Sequence, residues 1–222
     1  MLAFALTYQS VSYDGRGDYS MGKRRLPPDE RRRRILAAGT KTFARMGYAE
    51  ASMEEIARAS DVTKPVLYDH FQSKEALFVA VLESVRDRLL SEGEKASQAP
   101  VSRARQVRAA VEAFLTLAED SPDAMKILVV VPRGNPQAAA AARAVQSTAV
   151  LGIAAMLKRT APDAPEWRLN AAAQFILSGL HAIALWWLEN GAVEKKALVD
   201  LTATLLWNGV SAIEAGPVQT GS

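Results

Sequence analysis

Residues Ser52 to Leu77 read SMEEIARASDVTKPVLYDHFQSKEAL, and this stretch decides the fold. Ser52 followed three residues later by Glu55 is the S-x-x-E box that closes the first turn of a helix. Ile56 and Ala57 give that helix an apolar face. The periodicity stops at Ala59-Ser60-Asp61-Val62, and Thr63 then caps a second helix with Pro65 inside its first turn. Leu67 and Phe71, four apart, form one apolar side of it. Lys64, Tyr68 and His70 lie on the other side, all able to donate hydrogen bonds to phosphates or bases. A short helix with one buried stripe and one donor stripe, set after a tight turn, has the form of a DNA recognition helix.

Working outward, the spacing predicts a preceding helix from about Pro28 to Met46 that stops at Gly47, and a following helix from Lys74 to about Ser91. The run RRRRILAAGTKTFARMGYAEASMEEIARASDVTKPVLYDHFQSKEAL resembles the N-terminal DNA-binding domain of the TetR family of bacterial transcriptional regulators. The matching positions are Ile35, Ala38, Phe43 and Gly47, then Ile56-Ala57 and Val62. Leu67-Tyr68, His70-Phe71, Ser73-Lys74-Glu75 and Leu77 complete the pattern. The resemblance covers roughly Arg31 to Leu82; beyond that it rests on helical architecture and a late Trp-Trp-Leu-Glu segment.

The resemblance implies that Ser52, Tyr68, His70 and Lys74 clamp the DNA backbone. Thr63, Lys64 and Pro65 stand at the exposed start of the recognition helix, where base edges are read. Lys64 is suited to guanine O6/N7, and Pro65 with Val66 to a thymine methyl. In the Arg31–Arg34 run, Arg33 is taken as the phosphate contact. Each assignment has a structural alternative: the Tyr68 ring as packing, His70 as a cap of the helix C-terminus, the arginines as a solvated face.

Charge supports this placement. The chain has a net charge of +3, and residues 1–74 hold 13 Lys+Arg against 9 Asp+Glu. The positive excess thus coincides with the helix-turn-helix, as phosphate neutralisation requires. Hydrophobic residues make up 49% of the chain, enough for a core without staples. There is no cysteine, which excludes disulfides and thiolate chemistry, and only His70 and His181 are available as imidazole ligands. No metal or cofactor is expected. No uninterrupted apolar run reaches the ~20 residues of a membrane helix, so a cytoplasmic location with no membrane partner is expected.

The expected fold is all-α: an N-terminal three-helix helix-turn-helix domain plus a C-terminal helical ligand-binding and dimerisation domain. The boundaries are a disordered extension over 1–28, a DNA-binding domain over 29–75, an effector-binding and dimerisation domain over 76–215, and a flexible tail over 216–222. Gly93–Pro100 is the expected break after the long helix. Further helices are predicted at about 102–119, 122–131, 135–160, 165–190 and 194–214, punctuated by prolines and glycines.

QFILSGLHAIALWWLE and ALVDLTATLLWNGVSAI are apolar nearly all the way round, and such helices need burial on every face. The resemblance implies a homodimer built on this last pair. Leu180, Ala184, Trp187, Leu198, Leu201, Leu205 and Val210 are the interface candidates, with internal core as the alternative for each. The resemblance also implies a cavity within the middle helices. Its candidate lining is Phe114, Met125, Leu128, Met156, Phe175, Ser178, His181 and Trp186, against ordinary core packing. The absence of charge through Asn170–Leu188 points to a small hydrophobic or amphipathic effector.

The expected function is a one-component regulator, a repressor, whose dimer binds a palindromic site on double-stranded DNA and is released by its effector. The alternative is a DNA-binding protein that positions a partner on the chromosome. No Ser-His-Asp, paired-carboxylate or phosphate-loop pattern is present, so an enzyme is not expected.

Overall fold

The structure, a computed structural model, describes residues 27–128, 132 and 134–214, the last five as backbone alone. The expected extension over 1–28 falls almost wholly outside the described residues, as does the expected tail over 216–222. Among the described residues the chain forms nine α-helices and no strand: α1 Pro28–Glu50, α2 Met53–Ala59, α3 Lys64–His70, α4 Lys74–Gln98, α5 Arg103–Asp120, α6 Pro122–Leu128, α7 Pro136–Thr160, α8 Glu166–Asn190 and α9 Lys195–Glu214.

Local chemistry sets the boundaries. Pro28 opens α1, and Asp29 and Glu30 in its first turn offset the arginine run against the helix dipole. Gly47, at φ 77°, breaks α1 before a last short turn, a conformation that glycine adopts without a Cβ penalty. The predicted capping box forms: the Glu55 N–H donates to Ser52 Oγ at 3.2 Å, and the Ser52 N–H donates to Glu55 Oε2 at 3.2 Å. Ser73 Oγ caps α4 by accepting from the Ala76 N–H at 3.0 Å.

Two expectations need correction. The long fourth helix does not break at Gly93 but continues to Gln98, because a single interior glycine costs a helix only about 1 kcal/mol and Gly93 sits against Met156 of α7. The expectation that nothing matches a membrane helix also fails. Both α7 and α8 are long and apolar enough to cross a membrane by length and composition. Alanines and leucines raise their average even though polar residues interrupt the runs. In this fold α7 and α8 pack as a hairpin, with Ala154, Leu169 and Ala173 buried between them.

A continuous core runs from Ile35, Phe43, Ile56, Leu67 and Phe78 in the first four helices to Val111, Leu115, Ala184 and Val199 in the rest. α1 packs on α4 and α6, α4 on α5 and α7, and α5 on α9. No seam in the core separates residues 29–75 from the later helices: Leu77 to Val85 of α4 belong to both sides.

Candidate DNA interface and effector cavity

The helix-turn-helix is built on buried apolar contacts. Leu67 of α3 is fully buried, with Ile56 of α2 and Ile35 of α1 in the same cluster. The turn is tied by Ser60, whose hydroxyl donates to the Ile56 carbonyl at 2.7 Å. The Val62 N–H donates to the Ala57 carbonyl at 3.1 Å. With that side fixed, Thr63, Lys64, Pro65, Tyr68 and Asp69 are exposed on α3, Tyr68 to 41%. Thr63 stands at the N-cap with no side-chain cap bond.

Several predicted contacts are already engaged. The Lys64 ammonium forms an ion pair with Glu54 of α2. That hydrogen bond holds the Glu54 carboxyl below the usual carboxylate range and pushes the Lys64 ammonium up. Lys74 Nζ donates to the carbonyls of Ala49 and Ala51, each at 3.0 Å, and lies 4.8 Å from the Tyr48 ring centre. It therefore ties α4 to the end of α1. The Ser52 hydroxyl donates to Glu55 Oε2 at 2.9 Å. His70 is half-buried in the last turn of α3, its ring 6.4 Å from that of Phe71.

The arginine run is also rearranged. Arg33 lines a groove with Arg88 and Asp120 on the side of α1 facing the later helices. It is Arg32 whose guanidinium sits 4.6 Å above the ring of Phe71, the residue that ends α3. The signal was in the sequence: Ile35 faces the core, and residues three apart share a helix face.

A cavity of about 210 Å³ lies along α4 between α5, α7, α8 and α9. Phe114, Leu128, Met156 and His181 stand on its wall. Met125 does not; it is buried in the core on α6. Phe175 is 73% exposed, and Trp186 and Ser178 also face outward. Sequence reasoning passed over the α4 wall, whose Leu82, Arg86, Leu89, Leu90 and Gly93 recur at helical spacing, and Gln146 on α7. His181 is 9% exposed, and its Nε2 has no hydrogen-bond partner. Burial lowers its pKa to about 4, so the ring is neutral.

The dimer candidates divide. Ala184, Trp187 and Leu198 are buried within one chain, Trp187 donating its indole N–H to the Val193 carbonyl at 2.8 Å, and Leu180 faces the cavity. They are core because α8 and α9 each turn one side to the bundle. Leu201 and Leu205 lie on the exposed side of α9, Leu205 at 60%. Val210 falls where side chains are outside the described residues. No three His, Cys, Asp or Glu side chains are grouped to hold a metal among the described residues.

Residues 35–81 match the family model described as bacterial regulatory proteins, tetR family. Over 194 residues the chain is 34% identical to the HTH-type transcriptional activator FasR of Mycolicibacterium smegmatis, a match spanning 84% of this chain and 86% of FasR. The chain belongs to the TetR family of transcriptional regulators. Solved TetR-family structures share the fold. A TetR-like transcriptional regulator from Rhodococcus sp. RHA1 superposes with a TM-score of 0.64 at 25% identity, covering 85% of this chain and 100% of that one. The transcriptional regulator FadR from Bacillus subtilis, in complex with stearoyl-CoA, gives 0.67 at 14% identity, covering 80% and 98%. As a TetR-family member the protein is a DNA-binding transcriptional regulator, in line with relatives that are transcriptional regulators.

Proposed function

We infer that this regulator binds a palindromic DNA site as a homodimer and that a slim, long-chain effector in the α4 cavity controls that binding. The observation that carries the reading is the position of α4. Its first turn follows directly on the recognition helix α3, and its side chains from Leu82 to Ser97 form one wall of the cavity. A ligand that fits one setting of α4 better than another shifts the helix-turn-helix with it, and only such differential affinity produces control.

The cavity supports the effector class. The α4 wall spans about 22 Å at 1.5 Å per residue, so about 210 Å³ spread over that length suits an extended chain better than a bulky ring system. FadR from Bacillus subtilis, with the same fold, accommodates stearoyl-CoA. Dimerisation is supported by a stripe on α8 that includes Trp167, Phe175 and Trp186, and by Leu201 and Leu205 on α9, all exposed in the single chain. An apolar surface of this kind marks an interaction face. On the DNA side, Thr63, Pro65 and Tyr68 are positioned to meet the duplex, with Arg32 beside the end of α3. Work on DNA is the ground on which we propose a cytoplasmic location.

Repression is the expectation from the sequence. FasR, which matches most of the chain, is an activator, and we adopt activation as the proposed sign. The test is fluorescence anisotropy on DNA upstream of the gene, with and without fatty acids and acyl-CoAs of graded length, beside a promoter reporter. Chain-length-dependent change in selective binding supports the reading. Selective binding that no chain alters removes the effector, and equal binding to scrambled DNA favours the chromosome-associated alternative.

A further inference from the structure

The cavity wall is apolar except at two levels. One is its far end, where Glu92, Ser97, Arg103, Gln106 and Thr160 stand toward the end of α4, the start of α5 and the end of α7. The other lies part-way along and is less expected. Leu90 of α4 packs on Gly152 of α7, and Gly93 faces Met156, so the two helices run side by side; Arg86, one turn back, is level with Thr148, two residues from Gln146, and both Arg86 and Gln146 line the cavity. Ala154 and Ala173 share one cluster in the α7–α8 hairpin. Eight residues along each helix from that pair, about 12 Å, Gln146 stands level with His181. Three elements thus bring one polar side chain each to a single band.

Each member of the band has capacity to spare. His181 Nε2 is buried without a partner, and leaving a buried nitrogen unpaired is unfavourable. Gln146 uses Nε2 on the Leu128 carbonyl at 2.9 Å. The Arg86 side chain is only 14% exposed, and its guanidinium is held by one oxygen, Asp87 Oδ1, at 2.7 and 2.8 Å. Asp87 itself is largely in solvent. A guanidinium has five donors in a planar fork that matches a carboxylate. The interior side of this fork therefore fits an anion better than it fits hydrocarbon.

We propose that the effector is a free long-chain carboxylic acid whose carboxylate seats inside the cavity against Arg86, Gln146 and His181, with its chain along α4 toward Gly93 and Met156. The inference rests on the chain-binding reading above and adds where the head lies. A neutral imidazole retains one N–H to donate to the carboxylate. An acyl-CoA is a poor fit, since its head must remain in solvent and leave the band against methylenes.

The test is isothermal titration of the full-length protein with dodecanoate, methyl dodecanoate and dodecanoyl-CoA. Dodecanoate is expected to bind about tenfold more tightly than either of the others. Arg86→Met, at the edge of the wall, and His181→Gln, which keeps a polar group in the core, are each expected to reduce that preference to about twofold, with methyl dodecanoate binding little changed. Equal binding of acid and ester, tighter binding of the CoA thioester, or a preference that survives Arg86→Met overturns the proposal while leaving the chain-binding reading intact. Binding of none of the three overturns both.

Discussion

Asn135 Nδ2 donates to the Tyr48 hydroxyl across 3.2 Å, joining the start of α7 to the end of α1. The same side chain caps α7, its Oδ1 accepting from the Ala138 N–H at 2.9 Å. Tyr48 packs edge-on to Phe78 of α4 with ring centres 5.0 Å apart. One residue pair therefore connects the helix-turn-helix, the long helix and a helix that lines the cavity. Burial, with Glu75 nearby as a smaller cause, raises the Tyr48 pKa, so the phenol stays protonated.

Tyr48→Phe removes this bond and keeps the ring. A net loss of about 1 kcal/mol is expected, the worth of one ordinary hydrogen bond. Asn135→Ala loses the cap as well and should cost about twice that. Urea denaturation measures both. If the bond transmits the effector signal, Tyr48→Phe also weakens the effector's influence on DNA binding while leaving effector affinity unchanged; an unaltered response assigns the pair to stability alone.

Arg32 and Arg33 separate by position despite being adjacent. Arg32 sits on the Phe71 ring beside the end of α3, and Arg33 lines the groove near Arg88 and Asp120. Arg32→Ala is expected to reduce affinity for all DNA sequences alike and to lower the salt slope by about one. Arg33→Ala should leave the slope unchanged. Anisotropy over a salt series reads both, and a lost slope in the second variant would reverse the assignment.

The Glu54–Lys64 pair sets the charge at the start of α3. Both side chains are more than half exposed, so the pair adds little to stability. If α3 meets the duplex as proposed, Glu54 repels phosphate and occupies the ammonium. Glu54→Gln is expected to raise non-specific affinity and steepen the salt dependence by about one. Lys64→Ala should relax preference at one base position, as measured by competition among single-base variants of the site.

The legible parts of the chain were those written in local chemistry. The Ser52–Glu55 box, the Pro28 and Pro136 starts and the Leu67–Phe71 stripe need only neighbours in sequence to be read. Tertiary partners were not legible. Nothing near Lys74 in the chain shows that the Ala49 and Ala51 carbonyls come to meet it, and nothing near Lys64 singles out Glu54. On α8 the difficulty was different. With apolar residues on every side, periodicity does not distinguish Ala184 and Trp187, turned inward, from Phe175 and Trp186, turned outward. His181 was conspicuous because an imidazole in an apolar helix stands out in composition; its unpaired Nε2 required the fold.

His181 gives the protein an acid sensitivity with a definite sign. Its folded pKa is about 4 against an ordinary value of 6.5, and burial is the cause. Between these values the unfolded chain binds a proton that the folded one refuses, so stability rises with pH across this window. The contribution is fully present above pH 6.5 and is lost as pH falls toward 4, amounting to about 3 kcal/mol. His181→Phe should flatten that part of the stability profile measured by denaturant melts from neutral to acid pH. An unchanged profile would mean that the folded protein accepts the proton at its ordinary pKa.

At Gly152, α7 packs tightly on the cavity's α4 wall. A Cβ there would lie 2.8 Å from one Leu90 methyl and 3.0 Å from the other, closer than carbon atoms pack. In Gly152→Ala the helix gains about 1 kcal/mol of intrinsic propensity. Moving Leu90 aside costs a similar amount, since overpacking by a methyl group costs about 1–3 kcal/mol. Stability should therefore change little. The displaced Leu90 side chain lines the cavity, so the substitution is expected to weaken effector binding by about tenfold. Adding Leu90→Ala returns the space and should restore most of that affinity, a coupling that a double-mutant cycle resolves. If both single substitutions weaken binding and their effects simply add, Leu90 has moved away from the ligand, and the cavity is bounded at this level by other side chains.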